Sequence, residues 1–186
     1  LTEEDAVISD ELNHASIVTI HDHGTHDGLP YLVLELLVGE TVARRLERGP
    51  VGAGEAIAIL SGVCRGMVHA HAAGVVHGDL KPANIFVGDD GQVKLLDFGL
   101  ARQSKDGARA LDSQLSTEAH TRAGVVLGTV PYMSPEQALG KELDARTDIF
   151  SLGVVLYELA TGRLPFRGDT AAQTIDQICH AAPDPV

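Results

Sequence analysis

The stretch H-G-D-L-K-P-A-N at residues 77–84, with D-F-G following at 97–99, decides how this chain is read. Together the two motifs bring two carboxylates (Asp79, Asp97), one carboxamide (Asn84) and one ammonium (Lys81) into a short span. Phosphoryl transfer asks little covalent work of a protein; it asks for positioning and charge neutralisation. Mg²⁺ takes hard oxygen ligands, a few from protein and the rest from water and phosphate. Asp97 and Asn84 supply such oxygens, one charged and one neutral. Asp79 suits a group that accepts or orients the proton of an attacking hydroxyl. Lys81, two residues on, can reach a transferred phosphate as a point charge. Between the motifs, I-F-V at 85–87, G-D-D-G, and Q-V-K-L-L at 92–96 read as two short strands around an Asp-Gly turn. Such a hairpin brings the Asn84 end and the Asp97 end together.

Working outward, the pattern predicts the tail of a helix over 4–12 and strands over 17–21 and 31–36, linked by the polar loop H-D-H-G-T-H-D-G-L-P. His21, His23 and His26 in that loop lack a cysteine to complete a zinc set and read as loop residues. A short helix over 41–48 stops at Gly49-Pro50. Over 54–73, apolar residues at Ile57, Leu60, Val63, Cys64, Met67, Val68 and His71 give helical spacing with one buried stripe, ended by Gly74. His69 and His71 read as surface and packing residues. Residues 145–160 are apolar on all faces, which predicts a buried helix with Asp144 as its N-cap. A last helix over 170–180 precedes Pro183 and Pro185. Asp148 stands out, because a carboxylate on a buried helix must be hydrogen-bonded.

A chain of 186 residues with 44% hydrophobic content can bury a proper core and fits one domain or one large lobe. Its formal charge of −12 excludes nucleic-acid binding by electrostatics. Cys64 and Cys179 lie far apart and read as free thiols of a reducing compartment, which places the chain in the cytoplasm. No apolar run reaches the ~18 residues of a membrane span. The sequence starts at Leu1 rather than methionine and reads as an excerpt.

The two motifs resemble the catalytic loop and metal-binding loop of the eukaryotic-type (Hanks-type) serine/threonine protein kinase family. G-T-V-P-Y-M-S-P-E at 128–136 resembles the end of that family's activation segment. D-I-F-S-L-G-V-V-L-Y-E-L-A-T-G-R-L-P-F at 148–166 resembles its central C-lobe helix, L-N-H-A-S-I-V at 12–18 the stretch after helix αC, and Y-L-V-L-E-L at 31–36 the strand into the nucleotide hinge. The resemblance spans essentially the whole chain. It implies an α+β kinase-like fold, a mostly helical C-lobe with a remnant of the N-lobe sheet. Residues 1–36 would be the end of the N-lobe and 37–186 the C-lobe from hinge to αG. It implies ATP, Mg²⁺ and a protein substrate. Asp79, Lys81, Asn84 and Thr129 would be catalytic; Glu35, Leu37, Lys81, Asn84, Phe86 and Asp97 would hold nucleotide; Asn84 and Asp97 would hold metal. Leu34 matches the gatekeeper, Phe86 the floor under adenine, and Thr129 the threonine that bonds the base aspartate. His77 and Phe98 match members of a stacked spine, and Asp148 matches the aspartate that bonds the catalytic-loop backbone. Composition and the H-G-D spelling look most similar to bacterial members, which often continue into a membrane segment or sensor domain.

H-G-D is also how aminoglycoside and choline phosphotransferases write this loop. Lys81, the intact D-F-G and the T-x-x-Y-x-x-P-E pattern ending at Glu136 decide against them, and Lys81 also argues against the tyrosine-specific branch. Two departures carry information. The family's arginine before the base is Gly78 here, and glycine has no side chain to pair with a phosphate on the activation segment. No lysine precedes Lys81 and no Gly-rich loop is present, so the other half of a nucleotide site is absent from this sequence. Asp5, or Glu4 one step off, matches the acidic partner of the missing lysine. Glu136 matches a glutamate that pairs with an arginine further downstream. A fragment with these gaps is expected to be nearly inactive alone. The alternative is a pseudokinase or scaffold module, which the presence of Asp79, Asn84 and Asp97 disfavours.

Overall fold

The computed structural model describes residues 12–98 and 129–186. The positions assigned above to Glu4, Asp5, the helix tail before Leu12, Gly99 and the hydroxyls between 104 and 121 lie outside the described residues.

The first sheet is an antiparallel hairpin, β1 (Ile20–His26) against β2 (Leu29–Leu34). This corrects the ten-residue loop expected between two shorter strands. The chain turns in two residues at Asp27 and Gly28, with φ of 51° and 78°. Asp-Gly at positive φ is the tight-turn chemistry that matches strand twist, so His21, His23 and His26 lie on a strand. Gly24 faces Tyr31 across the pair, and a Cβ there would meet the phenol oxygen at 2.7 Å.

The second sheet has the order β3-β4-β5, with β3 Gly39–Thr41, β4 Ile85–Gly88 and β5 Val93–Leu95, all antiparallel. The hairpin read between the two motifs is the β4–β5 pair, turned at Gly91 with φ 80°. The extended segment around Ile17 runs beside β5, held by Leu95 N–H to the Ser16 carbonyl and Val18 N–H to the Leu95 carbonyl, both 2.9 Å. Helix α1 (Val42–Leu46) is shorter than 41–48 because Thr41 is its N-cap, accepting from Arg44 N–H at 3.3 Å.

Helix α2 (Ala53–Ala72) forms where expected, but its buried stripe is different. Val68 is 69% exposed, and Ile57 and Cys64 also face outward. The buried face is Ala56, Ile59, Gly62, Val63, Gly66, Met67 and Ala70. A hydrophobicity pattern gives glycine no weight, yet Gly62 and Gly66 are what let the helix lie against β5. A Cβ on Gly62 would sit 2.3 Å from Val93 Cβ, and one on Gly66 would sit 2.8 Å from the Ser16 carbonyl oxygen. Overpacking of this kind costs about 1–3 kcal/mol. Gly62→Ala is therefore expected to lower the midpoint of thermal unfolding, despite alanine's better helix propensity; an unchanged or raised midpoint contradicts the close approach.

Beyond the second described boundary come α3 (Pro135–Ala138), α4 (Ala145–Thr161) and α5 (Ala171–His180). Asp144 caps α4 as expected, accepting from Arg146 N–H at 2.9 Å; the Arg146 guanidinium, and after it that backbone bond, hold the carboxyl pKa down at about 2. The expectation that α4 is buried all round is corrected. Val154, Val155 and Leu159 are buried, but Ile149 is 63% and Leu156 46% exposed among the described residues. The main core joins α2, α4 and the β4–β5 pair, and it includes Leu80, fully buried one residue after Asp79.

Candidate active site

The loop from His77 to Lys81 runs into a single 3₁₀ turn, Pro82–Asn84, which feeds β4 directly. Proline at the start of that turn fixes φ where no N–H is needed. Asn84 N–H bonds the Lys81 carbonyl at 2.9 Å, closing the turn. The Asn84 carboxamide then reaches back: Nδ2 donates to the Asp79 carbonyl (2.9 Å) and to Asp79 Oδ2 (3.2 Å). This fixes which end of the amide is which and keeps its Oδ1 as an acceptor. Lys81 Nζ donates to Asp79 Oδ2 (2.7 Å) and to Thr129 Oγ1 (2.9 Å). Thr129 thus meets the aspartate through the lysine, a correction to the direct bond expected. Asp79 Oδ1 is buried and takes no hydrogen bond from the described residues. A buried carboxylate oxygen with no partner is rare and calls for a functional account.

The peptide before Asp79 is held from several sides. Asp148, 1% exposed, accepts from His77 N–H (2.9 Å), from Gly78 N–H (2.8 Å) and from His71 Nε2 (2.8 Å). Gln137 Nε2 donates to the Gly78 carbonyl at 2.5 Å. Gly78 itself sits at φ 73°, in the left-handed region that glycine takes without a Cβ clash. His77 is fully buried; its Nδ1 accepts from Asp79 N–H (3.2 Å) while its Nε2 lies 3.0 Å from the Leu96 carbonyl. A neutral ring protonated on Nε2 satisfies both contacts. Burial pushes its pKa below 6.5 in spite of the carboxylates of Asp148 and Asp79. Its ring packs on Phe98, with centroids 4.7 Å apart.

Asp97 is an exposed non-glycine residue at φ 54°. Its predecessor Leu96 donates its N–H to the Asn84 carbonyl at 2.9 Å, so the Asn84 and Asp97 ends of the hairpin meet as the spacing predicted. On the hinge side, Glu35 follows β2 directly, and its Oε1 accepts from Thr19 N–H and from Lys94 Nζ, both 2.7 Å. Burial raises the Glu35 carboxyl pKa, but the bonds from Lys94 and Thr19 outweigh it and hold the group below its usual range. Leu37 is half-buried just before β3, and Phe86 lies on β4 opposite Thr41 and Lys94. Gly39, at φ 146°, presses on that strand; a Cβ there would be 3.0 Å from the Phe86 ring. The structure therefore joins Asp79, Lys81, Asn84 and Thr129 directly, ties Asp97 to them through Leu96, and sets Glu35 against Lys94 of β5, Leu37 just before β3 and Phe86 on the central strand β4. Leu34 ends β2, partly exposed.

Residues 2–184 match the family model for the protein kinase domain. The chain belongs to the protein kinase family. Among curated relatives, it is 44% identical over 161 residues to serine/threonine-protein kinase PknL of Mycobacterium tuberculosis, covering 86% of this chain and 38% of that protein. It is 40% identical over 180 residues to serine/threonine-protein kinase PknB of Mycolicibacterium smegmatis, covering 94% and 27%. It is 41% identical over 182 residues to a probable PknB of Corynebacterium glutamicum, covering 95% and 26%. The matches thus take in about a quarter to two fifths of the length of these bacterial serine/threonine kinases.

The α+β kinase fold and the bacterial Hanks-type reading of the sequence both stand. Three contacts of this kinase chain escaped the sequence. His71, taken for a packing residue, is a hydrogen-bond partner of Asp148; Lys94 holds the hinge glutamate; Gln137 reaches Gly78. Glu136, read through a distant arginine, here accepts from the Thr147 hydroxyl at 2.8 Å. No described helix is long and apolar enough to cross a membrane.

Proposed function

We propose that this chain is the C-lobe, with the adjoining part of the N-lobe, of an ATP-dependent serine/threonine protein kinase, divided at 36/37 and acting in the cytoplasm. The observation that carries the reading is the shared ammonium: Lys81 spans Asp79 Oδ2 and Thr129 Oγ1, while Asp79 Oδ1 lies beside them without a partner among the described residues. That oxygen suits the O–H of an incoming serine or threonine, with Thr129 on the side from which the substrate arrives. In the transfer, the hydroxyl oxygen forms a bond to the γ-phosphorus, the bond to the leaving diphosphate breaks, and the hydroxyl proton passes to Asp79. A lysine has three N–H donors; two are engaged, and the third is left for the transferred phosphoryl group.

The oxygen set fits Mg²⁺. Asn84 is fixed with Nδ2 on Asp79, which leaves its carbonyl oxygen as a ligand, and the exposed Asp97 carboxylate supplies the charged one. The bound ion would neutralise charge on the phosphates. Backbone groups of Glu35 and Leu37 would meet adenine above Phe86, with the Glu35 side chain already engaged by Lys94. The test is transfer of labelled phosphate from ATP·Mg²⁺ to seryl or threonyl residues by the full-length protein. Transfer to tyrosine alone, or to a small alcohol alone, contradicts the reading.

Gly78 makes a second expectation. With no arginine there to grip a phosphate, activity does not hang on one phosphosite in the activation segment. Replacing Ser104, Ser113, Ser116, Thr117 and Thr121 together by alanine should leave most of the activity. A loss of about a hundredfold, the scale on which an ordering phosphate acts through new charge-assisted bonds, would sink this idea.

A further inference from the structure

We propose that Gln137 is a positioning residue that ties the substrate-side segment to the peptide preceding Asp79, in the place where the family's arginine is missing. The proposal rests on the reading of Asp79 as the group that takes the hydroxyl proton. Its carboxamide is used at both ends. Oε1 accepts from Ser134 N–H at 2.9 Å, closing a capping box in which Ser134 Oγ accepts from Gln137 N–H at 3.3 Å. Nε2 crosses to the catalytic loop and donates to the Gly78 carbonyl. The amide orientation is forced, since a flipped group would set NH₂ against the Ser134 N–H and oxygen against the Gly78 carbonyl.

The consequence follows from what holds Gly78. Its N–H is fixed by Asp148 and its carbonyl by Gln137, so both peptides around residue 78 are pinned. Glycine is the residue least able to hold a conformation by itself, and here it occupies the left-handed region immediately before the base. Gln137 lies eight residues after Thr129 on the segment that contacts Lys81. Displacing that segment therefore loosens the Asp79 backbone as well as the Thr129 hydroxyl. A side chain used only to cap α3 would need the Ser134 contacts and nothing more.

Gln137→Glu separates the two roles. Glutamate keeps the acceptor of the capping box but has no donor for the Gly78 carbonyl. In the full-length protein, Q137E is expected to keep its thermal midpoint within a few degrees and its KM for ATP. Its kcat should fall at least about tenfold, on the scale of a small misplacement of a reacting group. Amide hydrogen exchange in the peptide spanning 76–80 should become faster, with α4 unchanged. Ser134→Ala, which weakens the cap and leaves the tie, should lower the midpoint and leave kcat near wild type. Unchanged exchange at 76–80 in Q137E overturns the tie; faster exchange with kcat within twofold overturns the positioning role. A loss of kcat in S134A equal to that in Q137E shows that only helix stability matters. If Q137E does not fold, Gln137→Ala beside S134A carries the test, because each loses one half of the capping box and only the first loses the tie; equal kcat in the two overturns the proposal. Wild-type protein without transfer, or equal to Asp79→Asn, sinks the reading of Asp79, a failure the exchange measurement keeps apart from that of the tie.

Discussion

Asp79→Asn in the full-length protein is expected to lower kcat for phosphoryl transfer by about three orders of magnitude, within the range of losses for a general acid or base. Asparagine keeps the shape and an acceptor for Lys81, so the loop stays folded. What goes is the carboxylate oxygen that is buried without a partner among the described residues. The KM for ATP should change little, because Asp97, Asn84 and the hinge backbone are untouched. Steady-state kinetics with a protein substrate, run on both proteins at saturating Mg²⁺, decides it. Equal rates would remove Asp79 from the mechanism. Nucleotide binding with no transfer by the wild type would favour the pseudokinase alternative.

Asp148→Ala is the largest expected effect on stability. The carboxylate accepts three hydrogen bonds, two of them from backbone N–H groups of the catalytic loop, buried at His77 and part-buried at Gly78. Alanine leaves both donors without an acceptor, at about 1–3 kcal/mol each, so the total loss should be about 3–5 kcal/mol. For a domain of this size that corresponds to about 10 °C in the unfolding midpoint. Activity should fall with it, even at temperatures where the variant is folded, since His77 and Gly78 are no longer held in place beneath Asp79. A midpoint within about 2 °C of wild type, small against the cost of one orphaned N–H, would show that the loop finds other acceptors.

The legible parts of this chain were those whose meaning is local. Asp79, Lys81 and Asn84 lie within six residues, and the hairpin between Asn84 and Asp97 has its turn residues written into it. Residue type and spacing therefore predicted a cluster that the fold forms. The illegible parts are contacts between residues far apart in sequence. His71 meets Asp148 across 77 residues, and Lys94 meets Glu35, and Gln137 meets Gly78, each across 59. Each of these side chains suits an exposed helix or strand equally well, so its type carries no signal. The errors in the helices have another cause. Glycine scores as neither apolar nor polar, so the face of α2 that packs most closely was invisible to a pattern of large residues. The missed hairpin is a different case: Asp27-Gly28 was a readable turn, and the polar residues around it drew the reading toward a loop.

The Lys94–Glu35 pair has a geometric meaning for the nucleotide. Lys94 sits on β5, and Asp97 lies three residues further along the same backbone. β5 ends at Leu95 and the backbone turns at Asp97, with φ 54°, so on the proposed reading less than the ~10 Å of three extended residues separates the anchor of the adenine end from the ligand of the phosphate end. The two ends of the proposed ATP site would thereby be measured off a single ruler. Bending that ruler, by crowding β5 from the α2 side at Gly62 or Gly66, would misfit base and phosphates together rather than either one alone.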